Sequence, residues 1–169
     1  PVYISDEESK KLLATSPVLK EKLTQSFGEE IYKGGVLNKA LFASYIFNDK
    51  EKLKLANSII HPEVRNYFFK WLEQYKDCPV VANEAAILYE SGLNLLLDKV
   101  VMIYAPVDVR VERVVRREGI SRDKVMERIN NQLSDEEKLH KADFVIYNDG
   151  SQSLILQTLN LLEKLTFHQ

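Results

Sequence analysis

The chain has 169 residues, of which 45% are hydrophobic and 28% charged, with a formal net charge of −2. This length suits one domain, or one with a small insertion, and the composition excludes a disordered chain. Near-neutral charge gives no broad attraction to nucleic acid or to an anionic membrane, so any anion site has to be local.

Pro1-Val-Tyr-Ile-Ser5 is a short β-branched and aromatic run, and Asp6-Glu-Glu-Ser supplies the acidic and capping residues of a helix N-terminus. The pair predicts a strand feeding a helix. From Ser16 to Lys76 the pattern is helical: Leu19, Leu23 and Phe27 fall at i, i+4 and i+8, while Gly28 and Gly34-Gly35 punctuate the segment. Ser16-Pro17 and Asn38 are predicted helix starts. His61-Pro62 reads as a helix junction with Pro62 at a first helical position. Tyr67, Phe68, Phe69 and Trp71 are spaced too closely to share one helical face, and read as core and rim rather than a base-stacking platform.

Three short apolar runs follow, at Pro79–Ile87, Lys99–Ala105 and Asp143–Tyr147. Runs without polar alternation are expected when a parallel sheet is covered on both faces, and the stretches between them are long enough for helical crossovers. The expected fold class is α/β, a parallel sheet with flanking helices, a helical insertion at about 16–76 and an Arg-rich lid at about 110–140, all in a single domain.

In an open parallel sheet, ligands bind beyond the carboxyl ends of the strands. Asp6 follows the first strand, Glu84 and Glu90 lie in and after the second, and Asn148-Asp149-Gly150 ends the last. Each also has a plainer reading, as a helix cap, a solvated acid or a turn. Between Val107 and Arg128 stand Arg110, Arg113, Arg116, Arg117, Arg122 and Arg128. At helical spacing Val107, Val111, Val114 and Val115 form a core face, while Arg110, Arg113 and Arg117 share another and are positioned to converge on one anion. Guanidinium forks suit phosphate; the competing reading is a solvated face paired with Glu112 and Glu118.

Cys78 is the single cysteine, so no internal disulfide forms, and no His or Cys cluster has metal-ligand spacing. No residue is assigned to a metal, and a reducing cytoplasm is the expected location. No apolar run approaches the ~20 residues of a membrane span, and no secretory pattern opens the chain.

Taken in order, these segments resemble the dephospho-coenzyme A kinase family within the nucleotide-kinase branch of P-loop proteins. Pro1-Val-Tyr-Ile-Ser-Asp6 is similar to the family's strand ending Asp-Ala-Asp, and Leu37-Asn38-Lys39 to its Leu-Asp/Asn-Arg element. Ile60-His61-Pro62 with Arg65 resembles Leu-His-Pro, and Ala86–Gly92 the Pro-Leu-Leu-Phe-Glu segment. Arg113–Gly119 is similar to the lid's Arg-Leu-Met-x-Arg-Asp-Gly, Arg128–Gln132 to Arg-Ile-x-x-Gln, and Ala142–Gly150 to Ala-Asp-x-Val-Ile-x-Asn-x-Gly. Ile4, Lys39 and Ala86 depart from the family pattern, and Ile4 removes one acid of a usual pair. Nothing reads as the Gly-rich phosphate loop. A strand of ~5, a loop of ~8 and a helix of ~12 residues are expected before Pro1, and the chain as written is expected to be inactive.

The resemblance implies transfer of the ATP γ-phosphoryl group to the 3′-hydroxyl of dephospho-coenzyme A, with Mg²⁺. It implies Asp6 as the group that orients or deprotonates the hydroxyl, Arg113 on the ATP phosphates with Arg117 assisting, and Asn148 and Gly150 near the adenine. Lys39, His61, Arg65 and Glu90 are acceptor-side candidates. The expected partner is the small-molecule substrate alone, with no nucleic acid or membrane, in a monomer or small homo-oligomer. Another small-molecule nucleotide kinase and a non-catalytic phosphate-binding module are the alternative readings.

Overall fold

The computed structural model describes residues 1–47 and 49–166, which fold as two compact units dividing after Ala86. The first unit opens with strand β1 (Val2–Ile4), helix α1 (Ser5–Thr15) and helix α2 (Pro17–Phe27). Ser16 caps α2 by accepting the Leu19 amide, with Pro17 in the first turn, where a missing N–H costs nothing. A two-residue hairpin, β2 (Tyr32–Lys33) and β3 (Val36–Leu37), interrupts the helical stretch. Gly34 and Gly35, at φ 60° and 85°, supply its turn. Helix α3 (Lys39–Phe47) follows, with the Asn38 side chain accepting the Leu41 amide at 3.2 Å.

Helix α4 (Lys50–Leu72) starts at the Asp49 cap and runs straight through Pro62. The predicted junction at His61-Pro62 is therefore corrected: Pro62 is interior. Ala56, Val64 and Phe68 are buried and Ile60 half-buried, an i+4 stripe that continues past the proline. Burial on both sides of Pro62 offsets the roughly 3 kcal/mol that an interior proline costs. The core of this unit gathers Leu19, Leu23, Phe27, Ile31, Tyr32, Leu37, Phe42 and Ala56. The predicted stripe on α2 points into it.

Strand β4 (Ala82–Glu84) closes the unit by pairing in parallel with β1, Val2 opposite Ala82 and Ile4 opposite Glu84. The strand expected at 79–87 is thus three residues long. Beyond it the chain turns, with Gly92 in the left-handed region at φ 73°.

The second unit holds β5 (Val101–Tyr104), α5 (Val107–Glu118), α6 (Arg122–Asn130), α7 (Asp135–Lys141), β6 (Phe144–Tyr147) and α8 (Leu154–Thr166). β5 and β6 pair in parallel, Val101 opposite Phe144 through Tyr104 opposite Tyr147. Val111 is buried at the centre of the predicted valine face of α5. Gly119 ends α5 at φ 67°, Ser121 caps α6, and Ser134 with Glu137 forms a capping box for α7. Asp143 accepts the Val100 amide at 2.8 Å and pairs with Lys99 at 3.0 Å, so both bonds hold its carboxyl below the ordinary range. The architecture is α/β, with parallel strand pairs joined by helical crossovers as predicted.

Candidate active site

In each unit the predicted site residues stand at or after the carboxyl ends of a parallel strand pair. In the first unit, β1 ends at Ile4 and α1 starts at once, which leaves Asp6 exposed in the first helical turn, where a carboxylate faces free amides. Ser5 is only 5% exposed, and its hydroxyl donates to Asn83 Oδ1 at 2.7 Å. This bond ties the residue before Asp6 to the end of the neighbouring strand. Glu84, exposed, is the last residue of that strand. Asn83 Nδ2 is buried without a partner.

Beneath these ends Tyr3 is 1% exposed, its ring 5.0 Å from Phe68 and 5.3 Å from Trp71. Phe68 and Trp71 thus pack the sheet from α4, as core and rim. Burial first, then the charge of Glu8 and Tyr67, pushes the Tyr3 hydroxyl up to about 12, so it stays protonated. His61 and Arg65 stand one turn apart on α4, both half-buried. Burial, and secondarily the Arg65 charge, hold His61 below its ordinary value and keep it neutral. Lys39 is exposed at the start of α3.

In the second unit, the arginines of α5 do not converge on one point. Arg110 pairs with Asp135 at the start of α7. Arg113 Nη1 donates to the Asn148 carbonyl at 2.8 Å, and Arg117 pairs with Glu118 at 2.7 Å. Glu118 also takes Arg128 at 2.6 Å, and these two partners hold its carboxyl below the usual range. In the protein itself Arg110, Arg113 and Arg117 each have a separate acceptor. Among the described arginines of α5, Arg113 is the one that reaches the turn after β6.

That turn is well defined. The Asn148 amide donates to Tyr104 O at 2.7 Å, and Asp149 accepts the Ser151 amide at 2.9 Å. Gly150 sits at φ 92°, a conformation that side-chain-bearing residues rarely adopt. Glu90, outside this turn, accepts the Leu133 amide at 2.6 Å and so anchors the α6–α7 connection. An open cleft of about 400 Å³ between β6 and α8 is lined by none of the predicted site residues. Sequence reasoning missed Asn83, which holds Ser5 beside Asp6, and Gln157, which holds Tyr147 beside Asn148. Neither carries a local signal, since each acts through a partner distant in sequence or on another element.

Parallel strand pairs with helical crossovers and polar residues at their carboxyl ends are the pattern of open α/β folds, whose ligands bind at the strand mouths. Comparison with known proteins makes this specific. The family model for dephospho-CoA kinase matches residues 3–153. The dephospho-CoA kinase of Bacteroides fragilis strain ATCC 25285 is 50% identical over 163 residues, covering 96% of this chain and 79% of that protein. The enzyme of Porphyromonas gingivalis is 36% identical over 165 residues, with 96% and 81% covered. Among solved structures, TT1252 from Thermus thermophilus superposes with a TM-score of 0.86 at 31% identity, over 97% of this chain and 83% of that one. The dephospho-CoA kinase of Campylobacter jejuni, at 24% identity and a TM-score of 0.68 over 98% and 85%, shares the fold. The chain belongs to the dephospho-CoA kinase family.

Proposed function

We propose that the protein transfers the γ-phosphoryl group of ATP to the 3′-hydroxyl of dephospho-coenzyme A, the last step of coenzyme A formation, in the cytoplasm. The observation that carries this reading is the position of Asp6, exposed at the mouth of β1 while Ser5 beside it is locked to Asn83. A carboxylate within hydrogen-bond reach of a sugar hydroxyl orients it and accepts its proton as the phosphoryl group arrives.

In phosphoryl transfer the protein mainly positions reactants and offsets charge. Arg113 serves the phosphates with Arg117 assisting, and the Asn148–Gly150 turn meets the adenine. Arg113 already contacts that turn, which supports placing both on the nucleotide side. The helices of about 16–76 carry Lys39, His61 and Arg65 for the acceptor; Glu90 is the remaining acceptor-side candidate. Among the described residues no three His, Cys, Asp or Glu side chains gather into a metal site. Mg²⁺, which the family resemblance implies, would supply charge neutralisation on the nucleotide phosphates. No helix among the described residues is long and apolar enough to cross a membrane.

The test is a coupled ADP-release assay with Mg-ATP and dephospho-coenzyme A. Asp6→Asn in the intact protein is expected to lower turnover by at least about 100-fold, the scale of a lost acid or base, with ATP affinity nearly unchanged. Wild-type turnover in that variant would remove Asp6 from the chemistry.

A further inference from the structure

Two polar groups of Tyr147 create a problem that Gln157 solves. The Asn148 amide donates across the ladder to Tyr104 O. Backbone groups alternate sides along a strand, so the N–H and C=O of Tyr147 face away from β5. Gln157, in the first turns of α8, takes both: its Oε1 accepts the Tyr147 amide at 2.8 Å and its Nε2 donates to Tyr147 O at 3.0 Å. One side-chain amide thus imitates a neighbouring strand for a single residue. The planar amide of Gln carries its donor and acceptor side by side, at the spacing of a backbone N–H and C=O pair.

The consequence falls on the next residue. The Asn148 amide is held by β5 and its carbonyl by Arg113 of α5, while Tyr147 is held on both backbone groups by α8. Four consecutive backbone groups are therefore fixed from three elements just before the Asn148–Gly150 turn. Past them Asp149 accepts from the Ser151 amide and hydroxyl, and Gly150 is exposed.

We propose that Gln157 is a positioning residue for nucleotide binding, a clamp that sets where the Asn148–Gly150 turn meets the adenine. This rests on the reading of that turn as the adenine contact. In this role Gln157 acts through Tyr147, whose amide and carbonyl it holds.

Steady-state kinetics on the intact protein tests the clamp, with inorganic tripolyphosphate as a competing ligand that lacks the base. Gln157→Leu is expected to raise KM for ATP about 10-fold, while kcat, KM for dephospho-coenzyme A and the tripolyphosphate inhibition constant stay within about two-fold. Gln157→Glu keeps the accepted bond and loses the donated one, so its KM for ATP should fall between wild type and Gln157→Leu. That graded response also keeps the test informative if the leucine variant folds poorly. Gly150→Val serves as the control, because its φ strains the turn directly while its Cβ meets nothing within 4 Å. An unchanged KM for ATP in the Gln157 variants, with a raised one in Gly150→Val, overturns the clamp and leaves the adenine reading standing. No change in any of the three overturns both. Equal losses for ATP, tripolyphosphate and acceptor show a general packing role, and also overturn the proposal.

Discussion

His61 is held neutral by burial and by Arg65 one turn further along the same helix. The direction has a consequence for stability. A histidine whose folded value lies below its ordinary 6.5 takes up protons more readily when unfolded. Its contribution is therefore complete above pH 6.5 and is lost as the pH falls toward the lower folded value. Denaturant titrations should show stability declining below about pH 6.5, and His61→Gln should remove that part of the decline. An identical pH profile in the variant would show that the burial around His61 relaxes on protonation. Other single residues were readable in advance where the signal is local: Asp6 after a strand, Ser16 and Asn38 as caps, and Leu19, Leu23 and Phe27 as core. The targets of the arginines were not. Arg110, Arg113, Arg117 and Arg128 look alike in sequence, and only the packing of α5 against its neighbours decides which meets Asp135, a carbonyl or Glu118.

Helix α4 shows the same limit at the scale of an element. A proline normally ends a helix or starts one, and the His61-Pro62 pair gave no local reason to expect otherwise. The outcome was decided by burial of Ala56, Val64 and Phe68 along a continuous face. Pro62 has no N–H for the Ser58 carbonyl, so the helix keeps an unmade bond and a steric strain. Pro62→Ala is expected to stabilise the protein by about 1–2 kcal/mol, the restored bond and relieved clash exceeding the extra freedom of the unfolded chain. Thermal or urea unfolding measures it, and a loss of stability would mean that the ring itself is packed. The strands erred in the opposite direction. Pro79–Ile87 is apolar enough for a long strand, yet only Ala82–Glu84 pairs, because ladder length is set by the partner, and β1 offers three residues.

For the whole molecule, the α/β class and the helical crossovers were legible in chain order, since apolar runs and helical periods are written along the sequence. The division into two units after Ala86 was not, because it depends on contact density rather than on any linker. Asp6 and Arg113 are proposed for different tasks, the acceptor hydroxyl and the phosphates, so their substitutions should fail differently. Arg113→Ala is expected to lower turnover and raise KM for ATP together, since the side chain serves the phosphates and also holds the Asn148 carbonyl, whereas Asp6→Asn spares ATP affinity. An unaffected Arg113→Ala enzyme would return the arginines to a solvated surface.

The tie between Ser5 and Asn83 spans 78 residues. At ordinary ribosomal rates the first strand is made about 4–16 s before its partner exists. During that interval α2, α3 and α4 can already gather around Leu23 and Phe42, since their contacts need nothing downstream of Leu72. Contacts among these helices can therefore form before the long-range bond that ties Ser5, the neighbour of Asp6, to Asn83.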